Sequence, residues 1–338
     1  MEGAMHYDQQ DYEAEQERRA ARAARRAQLR ERYAKEAASS SLTLAFPTGK
    51  SMEDPTLELL SKAHVSVRRG HVRECTATLS GLPGFKDALF LKLPLVGKLI
   101  RDGHFAVGLT ALDRLIEDGY KNEVVIVKAL PYSRAGNGGT RCVLFCKQSS
   151  GSKDPMTALK LRKEVRVVSE YPEETRTFLS VHDIDASVHS CPGSAEALVV
   201  AGLYDWGVAL TETGTSLKVN GLKEVTTIFE SQVVLVANPD AYEIEEVRQY
   251  ASFLGQLLTG VIEAREKRYI TMNVPAACVE AVKAALPALK SPTVQPLSEE
   301  GYVAVSSVVP TAGLAELKLK LLRLGASGIV ELDAYSIM

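Results

Sequence analysis

Residues 212–216 of this 338-residue chain, Glu212-Thr213-Gly214-Thr215-Ser216, bring a carboxylate, three hydroxyls and a glycine into one short stretch. Placed between a strand and a helix, such a turn aims successive backbone N–H groups outward, and the positive end of the helix adds to a cradle suited to a phosphate group. For Thr213 to Ser216 taken alone, an ordinary turn is the simpler reading. His64, His71, His104, His182 and His189 have no carboxylate or cysteine arrangement beside them that suggests a nucleophilic site, so they are read as surface or satisfied histidines. Cys75, Cys142, Cys146, Cys191 and Cys278 are scattered through apolar runs and read as reduced core thiols. Cys142 and Cys146 lack a matching pair, and a structural zinc site needs about four close ligands, so no metal is assigned. Asn137-Gly138-Gly139 reads as a flexible turn rather than a phosphate loop.

The elements that must position the 212–216 stretch follow from the apolar pattern. LTLAFP from Leu42 predicts a strand entering a turn at 47–50, followed by a helix from about Pro55 to Ala63. Further apolar strands are expected from Ala88, Phe105, Glu123 and Arg141, alternating with helical stretches, which predicts an α/β lobe with a largely parallel sheet. The pattern resumes at VRVVSEYP and runs through EALVVAGLYDWGVAL to Thr213, as in a second lobe. A strand at SQVVLVANP and a helix from Glu243 to about Lys267 then return the chain to the first lobe. The last segment reads strand, helix, strand, strand, helix, strand, a βαββαβ ferredoxin-like order.

With 46% hydrophobic residues and 24% charged, the chain has the material for a full core and more than one domain. Its net charge of -2 gives no overall reason to expect nucleic acid, and no apolar run approaches the roughly 20 residues of a membrane span. A soluble protein is expected. Glu2, Asp8, Asp11, Glu13, Glu15 and Glu17 are unlike a transit peptide, which is poor in acids. Residues 11–38, rich in Ala, Arg and Glu without Gly or Pro, predict a helix. It has almost no apolar stripe beyond Tyr12, Leu29 and Tyr33, so it must be solvated or docked on something. Arg18, Arg19, Arg22, Arg25, Arg26, Arg30, Arg32 and Lys35 make it a basic strip, read first as an exposed or partly disordered charged arm, next as a match for an acidic protein face and last for nucleic acid.

Residues 211–225, TETGTSLKVNGLKEV, resemble the phosphoribosyl-diphosphate loop of ATP phosphoribosyltransferases, D-x-V-x-(S/T)-G-x-T-L. GSAEALVVAGLYD at 193–205, VRVVSEYPEETRTFL at 165–179 and the opening LTLAFPTGKSMEDPTLELL are similar to other motifs of that family. The resemblance runs from Leu42 to Met338 in the long form. It implies two α/β lobes like those of periplasmic binding proteins, a C-terminal ferredoxin-like domain of the type that senses histidine, and oligomeric assembly. The divisions expected are a helical extension over 1–41, a first lobe over 42–140 completed by about 228–266, a second lobe over 141–227, and a regulatory-type domain over 267–338. The family reaction joins ATP to the ribose of phosphoribosyl diphosphate in histidine biosynthesis, displacing pyrophosphate with magnesium. In that frame Glu212, Thr213, Gly214, Thr215 and Ser216 form the loop, and Lys50, Arg176, Glu196, Asp205 and Asp113 are candidate cleft residues.

Several polar positions depart from the family pattern. The acid four residues before the loop threonine is Ala209, and a methyl group accepts no hydrogen bond. The K-G-R of the opening motif is Gly49-Lys50-Ser51, and the acid of D-L-G-I-x-G-x-D is Ala106, while Asp113 survives. Each lost charged hydrogen bond to substrate costs about 1.5–3 kcal/mol, and about 1.4 kcal/mol is tenfold in rate. The expectation is a fold kept without its reaction, serving as a structural or regulatory subunit of a larger assembly that holds the basic helix, an organellar complex being one setting for it. The alternatives are a working transferase, and a nucleotide or histidine sensor.

Overall fold

The structure, a computed structural model, describes residues 2–49, 52–133, 136–137, 139–148, 155–161, 164–287 and 291–338; for 2–11, 133, 136–137, 155, 158 and 161 it describes the backbone alone. Two compact units emerge: Met1–Glu58 with Val65–Gly255, and Leu59–His64 with Gln256–Met338. The first contains both lobes.

The chain begins with α1 (Glu2–Ala38), which ends where Ser40 takes a left-handed φ of 48°. Then follow β1 (Leu42–Thr48), α2 (Glu53–Lys62), β2 (Ser66–Arg68), β3 (Thr76–Ser80), β4 (Phe85–Lys92), α3 (Leu93–Arg101), β5 (Val107–Ala111), α4 (Leu112–Glu117) and β6 (Val125–Leu130). A small hairpin, β7 (Tyr132–Ser133) and β8 (Gly136–Asn137), leads to β9 (Thr140–Lys147), which carries the chain into lobe II. There lie α5 (Pro155–Leu161), β10 (Val165–Ser169), α6 (Pro172–Val181), β11 (Ala186–Ser190), α7 (Ala195–Val200), β12 (Trp206–Thr211) and α8 (Thr215–Val219). Along β13 (Leu222–Ser231) the chain returns to β14 (Val233–Ala237), α9 (Pro239–Tyr242) and α10 (Glu245–Ala264).

The lobe I sheet runs β2-β3-β4-β1-β5-β14-β6. Only its centre is parallel, with β1 between β4 and β5; β2, β3, β14 and β6 all pair antiparallel. The expectation of a largely parallel sheet is therefore corrected. A short polar hairpin fills one edge, and β14 enters from lobe II against the direction of β5. Lobe II has the order β11-β10-β12-β9-β13, parallel among the first three and antiparallel thereafter. Outgoing β9 and returning β13 lie side by side, so their pairing has to be antiparallel.

The second unit adds β15 (Lys267–Pro275), α11 (Val279–Ala285) after a short 3-10 turn, β16 (Thr293–Pro296), β17 (Tyr302–Pro310), α12 (Leu314–Arg323) and β18 (Ser327–Asp333). Its antiparallel sheet, β16-β17-β15-β18, is the ferredoxin-like arrangement, with Ile270, Met272, Val274, Val305, Val309, Val282 and Leu321 as core. The helix expected after the first strand of this segment, α11, stops at Ala285, two residues before Pro287. Leu286 is extended (φ -85°, ψ 120°), as the residue before a proline is driven to be.

The N-terminal helix docks on lobe I. Tyr33 and Ala37 are fully buried, and the Tyr33 hydroxyl donates to the Gly103 carbonyl at 2.7 Å. Arg32 donates to the same oxygen at 2.6 Å and Arg25 to that of Asp102 at 2.9 Å. These carbonyls follow the C-terminal end of α3, where the helix dipole favours cations. Gly103 has φ +77°, and a Cβ there would sit 2.7 Å from Leu29 Cδ1, so glycine allows both the turn and the approach. Arg26 Nε meets Asp240 Oδ1 at 2.7 Å, and Arg30 spans Asp240 and Glu243. Asp240 is fixed in turn by Asn238, whose Oδ1 accepts from the Asp240 and Ala241 amides. Among the described residues no helix is long and apolar enough to cross a membrane.

Candidate functional site

The loop of residues 212–216 joins the end of β12 to α8. Gly214 has φ +71°, a left-handed conformation that glycine adopts without strain, and it turns the strand into the helix. Its N–H is donated to Thr211 Oγ1 at 2.9 Å, and the Thr213 and Thr215 hydroxyls lie 2.7 Å apart. Ser216 donates to Glu196 Oε1 at 3.1 Å, from the first turn of α7. Glu212, Thr213, Thr215 and Ser216 are exposed. Their polar groups face solvent, but much of their hydrogen bonding is internal to the loop and its neighbour.

Beneath the loop the surroundings are apolar. Ala209, 4% exposed, packs with Val143, Phe145, Val168, Ala195, Val199, Leu217 and Leu222. Leu217 is the buried residue of α8, so the cluster around Ala209 also seats the helix that follows the loop. Ala106, where the family resemblance implies another acid, is 2% exposed, and its carbonyl accepts from the Asn238 amide at 2.9 Å.

Asp113 lies elsewhere. It begins α4 in lobe I and is 3% exposed. Its Oδ1 accepts from the Ser231 hydroxyl at 2.5 Å and its Oδ2 from the Tyr171 hydroxyl of lobe II at 2.8 Å. Ser231 accepts in turn from the Asp113 amide at 2.9 Å, and Arg114 donates to Oδ2 at 3.2 Å while stacking over the Tyr171 ring at 4.2 Å. One turn along α4, the Glu117 carboxylate accepts from the Glu173 and Glu174 amides at 3.0 and 3.1 Å, capping α6 of the opposite lobe. Burial first, then the Asp113 charge, pushes the Tyr171 phenol far above its ordinary range, so it stays a donor. This surviving acid belongs to the junction between the lobes.

The remaining candidates are dispersed. Asp205 precedes β12 and pairs with Arg166 at 3.7 Å. It lies at the opposite end of that strand from the loop, about 20 Å away by strand rise. Arg176 on α6 is held by Glu173 at 2.6 Å and reaches the Val188 carbonyl at 3.4 Å. Among the described residues, Glu196 is the cleft candidate brought into contact with the loop. Lys50, with Ser51, lies outside the described residues, as does Gly138 of the 137–139 turn. The cysteines are free; Cys142 and Cys146 are buried as expected, but Cys75 is exposed, because the residues before β3 form a surface turn rather than an apolar strand.

Three charged residues near the loop or near Glu196 escape sequence reasoning. Glu224 Oε2 lies 3.8 Å from where a Cβ on Gly214 would be, and Arg141 Nη2 holds that oxygen at 3.1 Å. Glu170, before α6, has its carboxyl pKa raised by burial and then by the charge of Glu196. The three stand on β13, on β9 and after β10, so only the sheet assembles them. Magnesium, which the family resemblance implies for the reaction, fits these residues poorly. Magnesium is commonly held by one or two carboxylates together with substrate phosphates, and Ala209 supplies no carboxylate. No step is therefore routed through a metal.

Comparison with known proteins agrees with this architecture. A sequence profile of ATP phosphoribosyltransferase matches residues 96–258, and one of the HisG C-terminal domain matches residues 264–334. The chain is 33% identical to an ATP phosphoribosyltransferase of Nitratidesulfovibrio vulgaris over 294 residues, covering 86% of this chain and 96% of the relative. It is also 33% identical to one from Chlorobium luteolum, with the same shares. Among solved structures, a chain of the Thermotoga maritima ATP phosphoribosyl transferase (HisG:HisZ) complex has a similar fold, with a TM-score of 0.52 and 24% identity over 66% of this chain and 98% of that one.

Proposed function

The chain belongs to the ATP phosphoribosyltransferase family, and we propose that it keeps the long-form fold of that family without running its reaction, as a structural or regulatory subunit of a larger assembly. Any activity in this fold would be that of a glycosyltransferase joining ATP to phosphoribosyl diphosphate. The observation that carries the reading is the setting of Ala209. Where the family places the acid that helps hold the ribose hydroxyls and the metal, this chain has a methyl group 4% exposed inside an apolar cluster. A carboxylate there has to leave that cluster or be desolvated within it, at a cost of several kcal/mol unless it finds a charged partner.

Other observations support the same reading. Asp113 is committed to Ser231, Tyr171 and Arg114, Arg176 to Glu173, and Asp205 lies far along β12 from the loop. An assembly role is favoured by the exposed basic stretch of the N-terminal helix before its docked part, and by the Thermotoga maritima chain of similar fold being part of a HisG:HisZ complex. One feature favours the transferase instead. The Gly214 turn retains the backbone form of a phosphate loop, so residual binding of a phosphorylated ligand is the strongest competing reading. The deciding assay incubates the full chain with ATP, phosphoribosyl diphosphate and magnesium, and follows pyrophosphate release. The proposal expects no release above that of the uncatalysed mixture; turnover proportional to protein concentration overturns it.

A further inference from the structure

The N-terminal helix is bound along only part of its length, and its unbound part repeats the chemistry of the bound part. From residue 12 to residue 28 every side chain of α1 is exposed, a stretch of about 25 Å at the rise of an α-helix. Positions three and four apart share a helix face. Arg18, Arg22, Arg26, Arg30 and Tyr33 therefore follow one line, and its lower end is the line that grips lobe I. Above Arg25 the same line continues through Arg22 and Arg18, both exposed and, among the described residues, without an ion pair to lobe I. Arg19, beside them, is paired with Glu15 at 2.6 Å, whereas Arg18 and Arg22 form no ion pair among the described residues. The opposite face carries Glu13, Glu17, Ala20, Ala24, Ala27 and Glu31. Apart from Glu15, which lies three residues before Arg18 and pairs with Arg19, the acids of this stretch face away from the side on which lobe I lies.

The bound end shows what this stripe is suited to. Arg30 bridges Asp240 and Glu243, carboxylates one helical turn apart at the start of a helix, and Arg26 shares Asp240. We infer that Arg18 and Arg22 seat a second acidic protein surface, on a partner abutting lobe I, whose carboxylates are spaced one helical turn apart as Asp240 and Glu243 are. A nucleic acid is the poorer fit. Specific phosphate binders commonly neutralise about 6–10 phosphates, while this segment offers two uncommitted arginines flanked by Glu13, Glu15 and Glu17. An apolar partner groove is a poorer fit still, because the segment presents no large apolar side chain except Tyr12.

This inference deepens the assembly role proposed above, but it is independent of the cleft: a chain that turned over substrate would leave the result below unchanged. The test places a photo-crosslinking p-benzoylphenylalanine at Ala23, which flanks the stripe, in the full chain expressed in the cell that normally makes it. After irradiation, the crosslinked peptides are identified by mass spectrometry. The expected product joins Ala23 to a segment of another protein bearing Asp or Glu residues three or four apart. It disappears in Arg18→Glu/Arg22→Glu and persists in Arg18→Lys/Arg22→Lys, with unchanged helix content by circular dichroism. A crosslink to nucleic acid, a protein crosslink indifferent to the charge reversal, or products confined to this chain's own residues would each overturn the inference.

Discussion

Two polar constellations that resemble motifs of the family stand in opposite surroundings in this molecule. At the junction of the lobes, Asp113 is buried, and both its oxygens are used by hydroxyls from Ser231 and Tyr171. At the loop, the acid is gone and Ala209 lies in an apolar cluster, while the exposed hydroxyls above it bond to one another and to Glu196. The retained acid is the one whose loss would leave buried hydroxyls without partners. The replaced acid is one whose removal leaves a well-packed core. Buried polar groups are held in place by the penalty for leaving them unpaired, whereas a group that faces only substrate has no such hold. The difference between the two sites accords with the proposed role, in which the fold is kept apart from its chemistry.

The comparison is broken most severely at the junction. Asp113→Ala strands the Tyr171 and Ser231 hydroxyls and the Arg114 charge, so it should destabilise the chain by about 3–5 kcal/mol, read as a lower urea midpoint at unchanged slope. A loss below about 1 kcal/mol would show that the network is not what retains the acid.

The docked helix supplies a second test through pH. Burial, the largest cause, pushes the Tyr33 phenol up to about 12, whereas in the unfolded chain it ionises near its ordinary value of 10. The folded state thus holds this proton more tightly. Its contribution is complete below pH 10 and is lost as pH rises toward 12, amounting to about 3 kcal/mol over that window. Phenolate absorbance followed against stability should show the loss, and Tyr33→Phe should flatten that part of the profile.

Tyr171→Phe removes a single hydrogen bond to a charged acceptor while leaving Ser231 and Arg114 on Asp113, and should cost about 1.5–3 kcal/mol, less than Asp113→Ala. The smallest effect belongs to the loop. Ser216→Ala deletes an exposed hydrogen bond to Glu196 and should change stability by less than about 0.5 kcal/mol in thermal unfolding. A larger cost at Ser216 than at Tyr171 would reverse the contrast on which the account rests.

Much of this organisation is legible in the sequence, because apolar periodicity is a local signal. The strand from Leu42, the long helix after Tyr242 and the ferredoxin-like order after residue 266 all follow from it. What the sequence hides depends on distant partners. The β2–β3 edge hairpin is short and polar, so it carries little apolar signal, and it makes the sheet more antiparallel than the alternation of elements suggests. β13 is mostly half-buried and shows no clean alternation. The docking of α1 is invisible locally, since Arg26 and Asp240 are 214 residues apart. Motif spacing marked Asp113 and Ala209 equally, and only the three-dimensional surroundings reveal that one is held at the lobe junction and the other packed away from polar contact.

The central claim is tested most directly by isothermal titration of the full chain with phosphoribosyl diphosphate in magnesium buffer, with Ala209→Asp measured in parallel. The account predicts no binding heat for the native chain, and for Ala209→Asp a less stable protein that also fails to bind. Micromolar binding by the native chain would contradict it.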